Sequence, residues 1–405
     1  MRKLSDWLTA YLEYTEETES AKIFHQWVGI SVIASALQKN VYLDIGRIKI
    51  YPNFYIVLVA EPGIARKSQA ITFGKDIMKE LGLKMSSDAI TREAMIAELA
   101  GAVKAEMTDK NSILPEQKLV SSLSIVSKEF ESFLGQKTEN RRMIVFLTDL
   151  YDAPDEAWTY NTRGRGEEII PPCCLNILGA TTPDSLSSQL PTAAIGGGLT
   201  SRIMFICADA GSKKVPFPEL SNSVKRLQDY LIHDLSIIQR MSGVYKCKGE
   251  VREFWKKWYN SYDERDPNRL CGDPTFNGWY SRKPTQIQKL AQIIAASKRN
   301  EVVLEVNDYL KAIEIIEKSE VRMEDAFTSL GRSEIAEDIS KIMSIIEAQG
   351  EIREKSLMQL IWRDVDARKF DNVIDTILKT GKVYRDYRKD PVDPNRTIIV
   401  FVWKG

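Results

Sequence analysis

The stretch Tyr55 to Ser68, YIVLVAEPGIARKS, constrains what this chain can fold into more than any other. An apolar run ends in a short Pro62-Gly63 turn that is followed at once by Lys67 and Ser68. The pattern predicts a strand, an anion-binding turn whose backbone N–H groups face a phosphate, and a helix opening at Lys67. Lys67 is expected to reach the β and γ phosphates, and the Ser68 hydroxyl to ligate Mg²⁺ beside them. Where the usual loop carries two glycines, this chain has Glu61 and Arg66, and Gly63 is the only glycine in the turn.

Composition sets the outer limits. The 405 residues suffice for two or three domains, and 43% hydrophobic with 28% charged residues is ordinary for a globular protein. Lys+Arg and Asp+Glu balance at 56 each, so contact with nucleic acid would have to come from local patches. The five cysteines show no Cys-x-x-Cys spacing and are expected as reduced thiols in a cytoplasm. No leader and no run of about 18 apolar residues is apparent, so neither secretion nor a membrane partner is expected. With only His25 and His233, a histidine-based triad or metal site is not expected.

Residues 4 to 38 carry helical periodicity, and Val41 to Ile50 read as a hairpin around Gly46. After the loop, Ile71, Phe73, Ile77, Met78 and Leu81 keep helical spacing up to Gly82, and Thr91 opens another helix. Leu119 to Val126 is an apolar strand ending in Ser127-Lys128-Glu129. Glu129 stands where a nucleotide hydrolase needs a carboxylate to polarise water or hold metal, although a plain surface glutamate would also follow a strand. Lys128 stands where an Asp is usual, which leaves Asp149 and Asp152 as reserve metal ligands.

Arg141 to Tyr151 reads as a helix. AWTYNTRGRGEEII then reads as two strand arms whose tip carries Arg163 and Arg165, either an exposed basic turn or a pair of phosphate-backbone contacts. A strand over Cys174 to Leu178 ends in Ala180-Thr181-Thr182-Pro183, where Thr182 either touches the γ-phosphate or simply ends the strand. Gly196 to Gly198 precede Ser201 and Arg202 at the mouth of a further strand. Arg202 is either a structural anchor or a finger inserted into a neighbouring subunit's site.

The ordered series of Lys67-Ser68, Glu129, the Arg163 and Arg165 hairpin, Ala-Thr-Thr-Pro and Ser201-Arg202 resembles an AAA+ ATPase. Within that family it resembles the branch that includes the MCM and superfamily III replicative helicases, and IYPNFYIVLVAEPGIARKSQAI with FHQWVGISVIASAL is similar to phage and prophage helicases or replication ATPases. The resemblance implies an α/β fold: an AAA+ P-loop core with a parallel sheet, a helical N-terminal region, a helical lid and a C-terminal winged helix. It implies ATP and Mg²⁺ as cofactors, with Glu61, Pro62, Gly63, Ile64, Ala65, Arg66, Lys67, Ser68 and Gln69 around the nucleotide. Lys67, Glu129, Thr182, Arg202 and Arg282 are the implied catalytic residues, and Ser68 and Glu129 the metal ligands. Thr182 takes the sensor position usually held by Asn, Arg202 is the finger in trans, and Arg282, opening a lid helix after Ser281, is the second sensor.

The implied domains are 1-50, a helical region and hairpin; 51-215, the ATPase core; 216-330, the lid; and 331-405, a winged helix. In the last of these, Ile335 to Ala348, Ser356 to Ile361 and Ala367 to Lys379 read as helices, and Lys382 to Arg388 and Thr397 to Trp403 as strands. Lys369, Lys382, Arg385 and Arg388 join Arg163 and Arg165 as candidate DNA contacts, diluted by Asp371, Asp375 and Asp386. The expected protein is a cytoplasmic, ring-forming and hexameric DNA helicase or translocase in phage or mobile-element replication. Its partners would be single-stranded or forked DNA, further copies of itself, and a primase or polymerase. The alternatives are a helicase loader that does not unwind DNA, and a winged-helix regulator with a degenerate P-loop.

Overall fold

The computed structural model describes residues 1–86, 90–107, 117–134, 137–162, 166–189, 197–211, 213–217, 221–271, 276–327, 332–361, 367–391, 393 and 397–404. The protein is mixed α/β, and its contacts divide it into two compact units, Met1–Phe327 and Thr328–Gly405. The segments 1-50, 51-215 and most of 216-330 therefore belong to one packed body.

Two N-terminal helices, α1 (Trp7–Tyr14) and α2 (Lys22–Leu37), precede a short antiparallel pair, β1 (Val41–Asp44) and β2 (Lys49–Ile50), which turns through Gly46 at φ 93°. Asp6 caps α1 by accepting the Leu8 and Thr9 N–H groups. α2 is buried on nearly every side. It packs on α1, on the helix after the loop and on the sheet, so its apolar residues surround the axis instead of forming one stripe.

The central sheet holds β3 (Tyr55–Val59), β4 (Val103–Met107), β5 (Gln117–Ser127), β8 (Cys173–Thr181) and β9 (Ile203–Cys207) in the order β4-β5-β8-β3-β9. β5, β8, β3 and β9 are parallel, while β4 runs antiparallel on the edge. Every residue of β3, β8 and β9 is buried, and strands covered on both faces read as continuous apolar runs. α3 (Lys67–Glu80) follows the loop and stops at Gly82, φ 68°. α4 (Arg92–Gly101) opens at Thr91, whose hydroxyl accepts the Ala94 N–H. α5 (Phe130–Leu134) and α6 (Lys137–Leu150) lead to the antiparallel arms β6 (Trp158–Thr162) and β7 (Gly166–Ile170). Trp158 meets Phe146 edge-on and stacks on Tyr160, which fastens the arms to α6. α7 (Pro183–Gln189) follows β8.

The stretch from Val224 to Tyr262 is largely helical and holds two helices, α8 (Asn222–Gln239) and α9 (Gly249–Ser261). α8 ends at its C-cap Arg240, and β10 (Gly243–Val244), with Gly243 at φ 119°, pairs in parallel with β1. β11 (Lys246–Cys247) then pairs with β12 (Val303–Leu304). The short α10 (Asn277–Tyr280) leads into α11 (Lys283–Lys298), and α12 (Val306–Glu320) opens with a capping box between Glu305 and Asp308. Trp27 of α2 donates its indole N–H to Ser319 of α12 at 2.8 Å, tying N-terminal helix to C-terminal helix across the unit.

The second unit contains α13 (Arg332–Gln349), β13 (Glu351–Arg353), α14 (Glu354–Ile361), α15 (Ala367–Lys379), β14 (Val383–Lys389) and β15 (Thr397–Trp403). Its antiparallel sheet has the order β13-β15-β14. Ile342, Ile346, Leu357, Ile361, Phe370, Val373, Ile377, Val383 and Phe401 form its core. Helices and long strands fall where periodicity places them; β13, a three-residue strand directly after Gly350 at φ 68°, is the element that periodicity misses.

Candidate functional site

The loop leaves the end of β3 at Ala60 and crosses an exposed turn from Glu61 to Ile64, with Gly63 at φ 76°. Arg66, at φ 50° and ψ 42°, caps α3 in the left-handed conformation. Lys67 then begins a helix of 14 residues, whose first-turn N–H groups and dipole favour an anion. The Lys67 ammonium donates to the Ala60 carbonyl at 2.5 Å and the Glu61 carbonyl at 3.3 Å, so it folds back over its own turn. Burial lowers its pKa, and the charges of Glu61 and Glu131 pull it back up. Ser68 and Gln69 are exposed in the same first turn.

Across the sheet edge from Lys67 stands the end of β5. Glu129 is exposed and accepts the Ser132 hydroxyl at 3.3 Å. Glu131, two residues on and inside α5, accepts the Thr181 hydroxyl at 3.0 Å, and it is the β5-side acid that acts on Lys67. Sequence reasoning singled out Glu129 and passed over Glu131. Thr182 accepts the Ser185 N–H at 3.1 Å and donates its hydroxyl to Ser185 Oγ at 3.0 Å, which makes it the cap of α7. Its neighbour Thr181, at the end of β8, is the threonine that faces the acid.

Arg202 and Arg282 lie together at the other end of the sheet. Arg202 immediately precedes β9, whose register pairs Ile203 with Tyr55 and Cys207 with Val59. At about 3.3 Å per strand residue, Arg202 starts roughly 20 Å from the Ala60 carbonyl that holds Lys67. Its guanidinium donates to the Gly198 carbonyl at 2.6 Å, lies 3.7 Å from Asp152 and sits over the Tyr151 ring. Arg282, capping α11, donates to the Ser201 hydroxyl at 3.2 Å. Burial lowers the Arg202 pKa, and the nearby charge of Arg282 lowers it further.

A third cation lies beneath them. Lys289 of α11 is buried and donates to Asn53 Oδ1 at 2.7 Å and to the Asn53 carbonyl at 3.2 Å. Asn53 in turn donates to the Tyr151 and Leu175 carbonyls. Burial pushes the Lys289 pKa down to about 8, with both guanidiniums adding to the shift and Asp152 opposing it. Asp152 thus faces Arg202 at the strand-start edge, away from Ser68, and Asp149 is an exposed residue of α6. Lys289 and Asn53 carry no motif, because 236 residues separate them.

Among the DNA candidates, Arg163 and Arg165 lie outside the described residues. Lys369 is in the first turn of α15. Lys382 is exposed just before β14. Arg385 rests over the Phe401 ring, and Arg388 is paired with both Glu351 and Asp386. Among the described residues no group of three His, Cys, Asp or Glu side chains could hold a metal ion, and no helix is long and apolar enough to cross a membrane. The sequence matches no protein-family model and no curated protein.

Proposed function

We propose that the protein is a ring-forming ATPase of the AAA+ kind that moves along or remodels DNA during replication. The observation that carries this reading is the separation of two cationic centres on one sheet. Lys67 heads α3 at the strand-end edge, and Arg202 with Arg282 occupies the strand-start edge roughly 20 Å away. A triphosphate gripped by the first centre lies beyond the reach of the second within one subunit. A neighbouring copy, turned head to tail, supplies it, and a repeated head-to-tail contact closes into a ring.

In this reading the first-turn N–H groups of α3 and the Lys67 ammonium take the β and γ phosphates, leaving the two carbonyls that hold the ammonium now. Glu61 and Glu131 favour the charged form of Lys67 against its burial, and Glu131 accepts the Thr181 hydroxyl. Glu129, exposed at the mouth, takes a proton from the attacking water. Ser68, through its hydroxyl, and Glu129, through its carboxylate, are the residues that would hold a magnesium ion delivered on the nucleotide. When bound, that ion withdraws charge from the phosphate oxygens. Arg202 and Arg282 of the adjoining subunit stabilise charge that builds on the departing phosphoryl group.

The second unit supports the nucleic-acid part of the reading. Three helices and a three-stranded antiparallel sheet ending in a long hairpin fit a winged helix, with α15 as reader and β14–β15 as wing. Lys382 is its exposed cation toward phosphate, whereas Arg385 rests over the Phe401 ring and Arg388 is already paired with Glu351 and Asp386. Phosphate release from ATP, with and without single-stranded DNA, tests the function. A Lys67-dependent rate that DNA raises supports it, and a rate unaffected by Lys67→Ala removes it. Strand displacement on a forked duplex then separates a helicase from a loader.

A further inference from the structure

The position before Lys67 is where a phosphate-binding loop ordinarily has glycine, and here Arg66 occupies the left-handed region that L side chains avoid. What holds it there is on the segment between α1 and α2. Glu19 pairs with the Arg66 guanidinium at 2.9 Å, and its second oxygen accepts the Val215 N–H at 3.2 Å. The next residue, Ser20, donates its hydroxyl to the Arg66 carbonyl at 3.0 Å, and the Ala21 N–H donates to the Ala65 carbonyl at 3.4 Å. Gly211, in the segment after β9, lies so close that a Cβ there would meet the Glu19 carbonyl oxygen at 2.0 Å. Glu19 is thereby wedged between the loop and the end of the neighbouring strand. The loop is clamped from outside by side chain and backbone together.

We infer that Glu19 and Arg66 act as a pair of positioning residues that replace the missing glycine. The ion pair keeps Arg66 left-handed, and that conformation aims the Lys67 and Ser68 N–H groups and the Lys67 ammonium at a triphosphate. This rests on the reading of Tyr55 to Ser68 as a nucleotide loop. Without the clamp, a side chain at position 66 relaxes toward ordinary backbone angles in the free protein, and binding must drive it back. The cost then appears in affinity. A glycine at 66 has no such preference and needs no clamp.

Equilibrium binding of a fluorescent ATP analogue with Mg²⁺ to the full chain tests this with five variants. Arg66→Ala and Arg66→Gly both delete the guanidinium and differ only at Cβ. The left-handed penalty makes Arg66→Ala weaker than Arg66→Gly by roughly 5- to 30-fold. Glu19→Gln weakens binding by roughly 2- to 5-fold in the wild-type background, the range of a half-exposed ion pair. In the Arg66→Gly background the same Glu19→Gln change has no further effect. A purely structural role would move thermal midpoints and leave this dependence on background absent. Equal affinities for Arg66→Ala and Arg66→Gly, or the same Glu19→Gln effect in both backgrounds, would overturn the inference. Lys67→Ala distinguishes the two levels: if it binds the analogue as wild type does, the nucleotide loop itself is wrong and the inference falls with it. If Lys67→Ala abolishes binding while the two Arg66 variants agree, only the inference fails.

Discussion

Two inactive variants should restore each other. An Arg202→Ala subunit keeps its own Lys67 loop and lacks the cation it offers a neighbour; a Lys67→Ala subunit is the reverse. Each alone is expected to lose turnover, Arg202→Ala by about 10³- to 10⁵-fold, the usual worth of such an arginine. In a ring built at random from equal amounts of both, a working interface needs an intact loop on one side and an intact arginine on the other. Half of the subunits qualify on each side, so about a quarter of interfaces, and about a quarter of wild-type turnover, should return. Within one subunit, Arg202 and the Ala60 carbonyl lie at opposite ends of paired strands, which is why the partner copy is expected to supply the arginine. The assay is phosphate release from co-expressed variants, with sedimentation confirming that they share assemblies. A mixture as inactive as its components, or an Arg202→Ala protein with normal turnover, would refute the reasoning.

Three further outcomes follow from individual side chains. Lys289, with a folded pKa of about 8 against 10.5, binds fewer protons folded than unfolded between those values, so its contribution makes stability rise with pH there. Denaturant unfolding at pH 7.5 and 9.5 should show a rise of about 2 kcal/mol in wild type that Lys289→Met lacks; equal pH dependence in both would contradict the buried cation. Glu129→Gln should lower turnover by about 10²- to 10⁴-fold while leaving nucleotide affinity near wild type, and an unchanged rate would remove it as the base. Gly74→Ala should destabilise the protein by about 1–3 kcal/mol, because its Cβ would come within 2.4 Å of Val28 Cγ1 where α2 and α3 meet. A thermal midpoint equal to wild type would mean that this packing is looser than described.

Much of the architecture was legible because buried parallel strands and capped helices write themselves locally. Tyr55–Val59 and Cys173–Thr181 are apolar runs, Thr91 and Gly82 bracket helices, and the helices and hairpin of the second unit fall within a few residues of their periodic signals. β4 was not legible, since VKAEM has little apolar character and owes its pairing to β5. The short strand β10 was not legible because the partner of Gly243, Val41, lies about two hundred residues earlier. At the site, the loop, Arg202 and Arg282 carry local signals. That Glu131 and not Glu129 acts on Lys67 depends on where β5 hands over to α5, a register no spacing rule fixes. That Glu19 clamps Arg66 is a contact between residues far apart in the chain.

Titration of the purified protein with ATP in the presence of magnesium, read by heat, addresses the central claim most directly. Saturable binding at one site per chain in wild type, abolished by Lys67→Ala and retained by Arg202→Ala, is the result expected from a triphosphate seated on the first turn of α3. No heat of binding in wild type, or the same isotherm after Lys67→Ala, would contradict it.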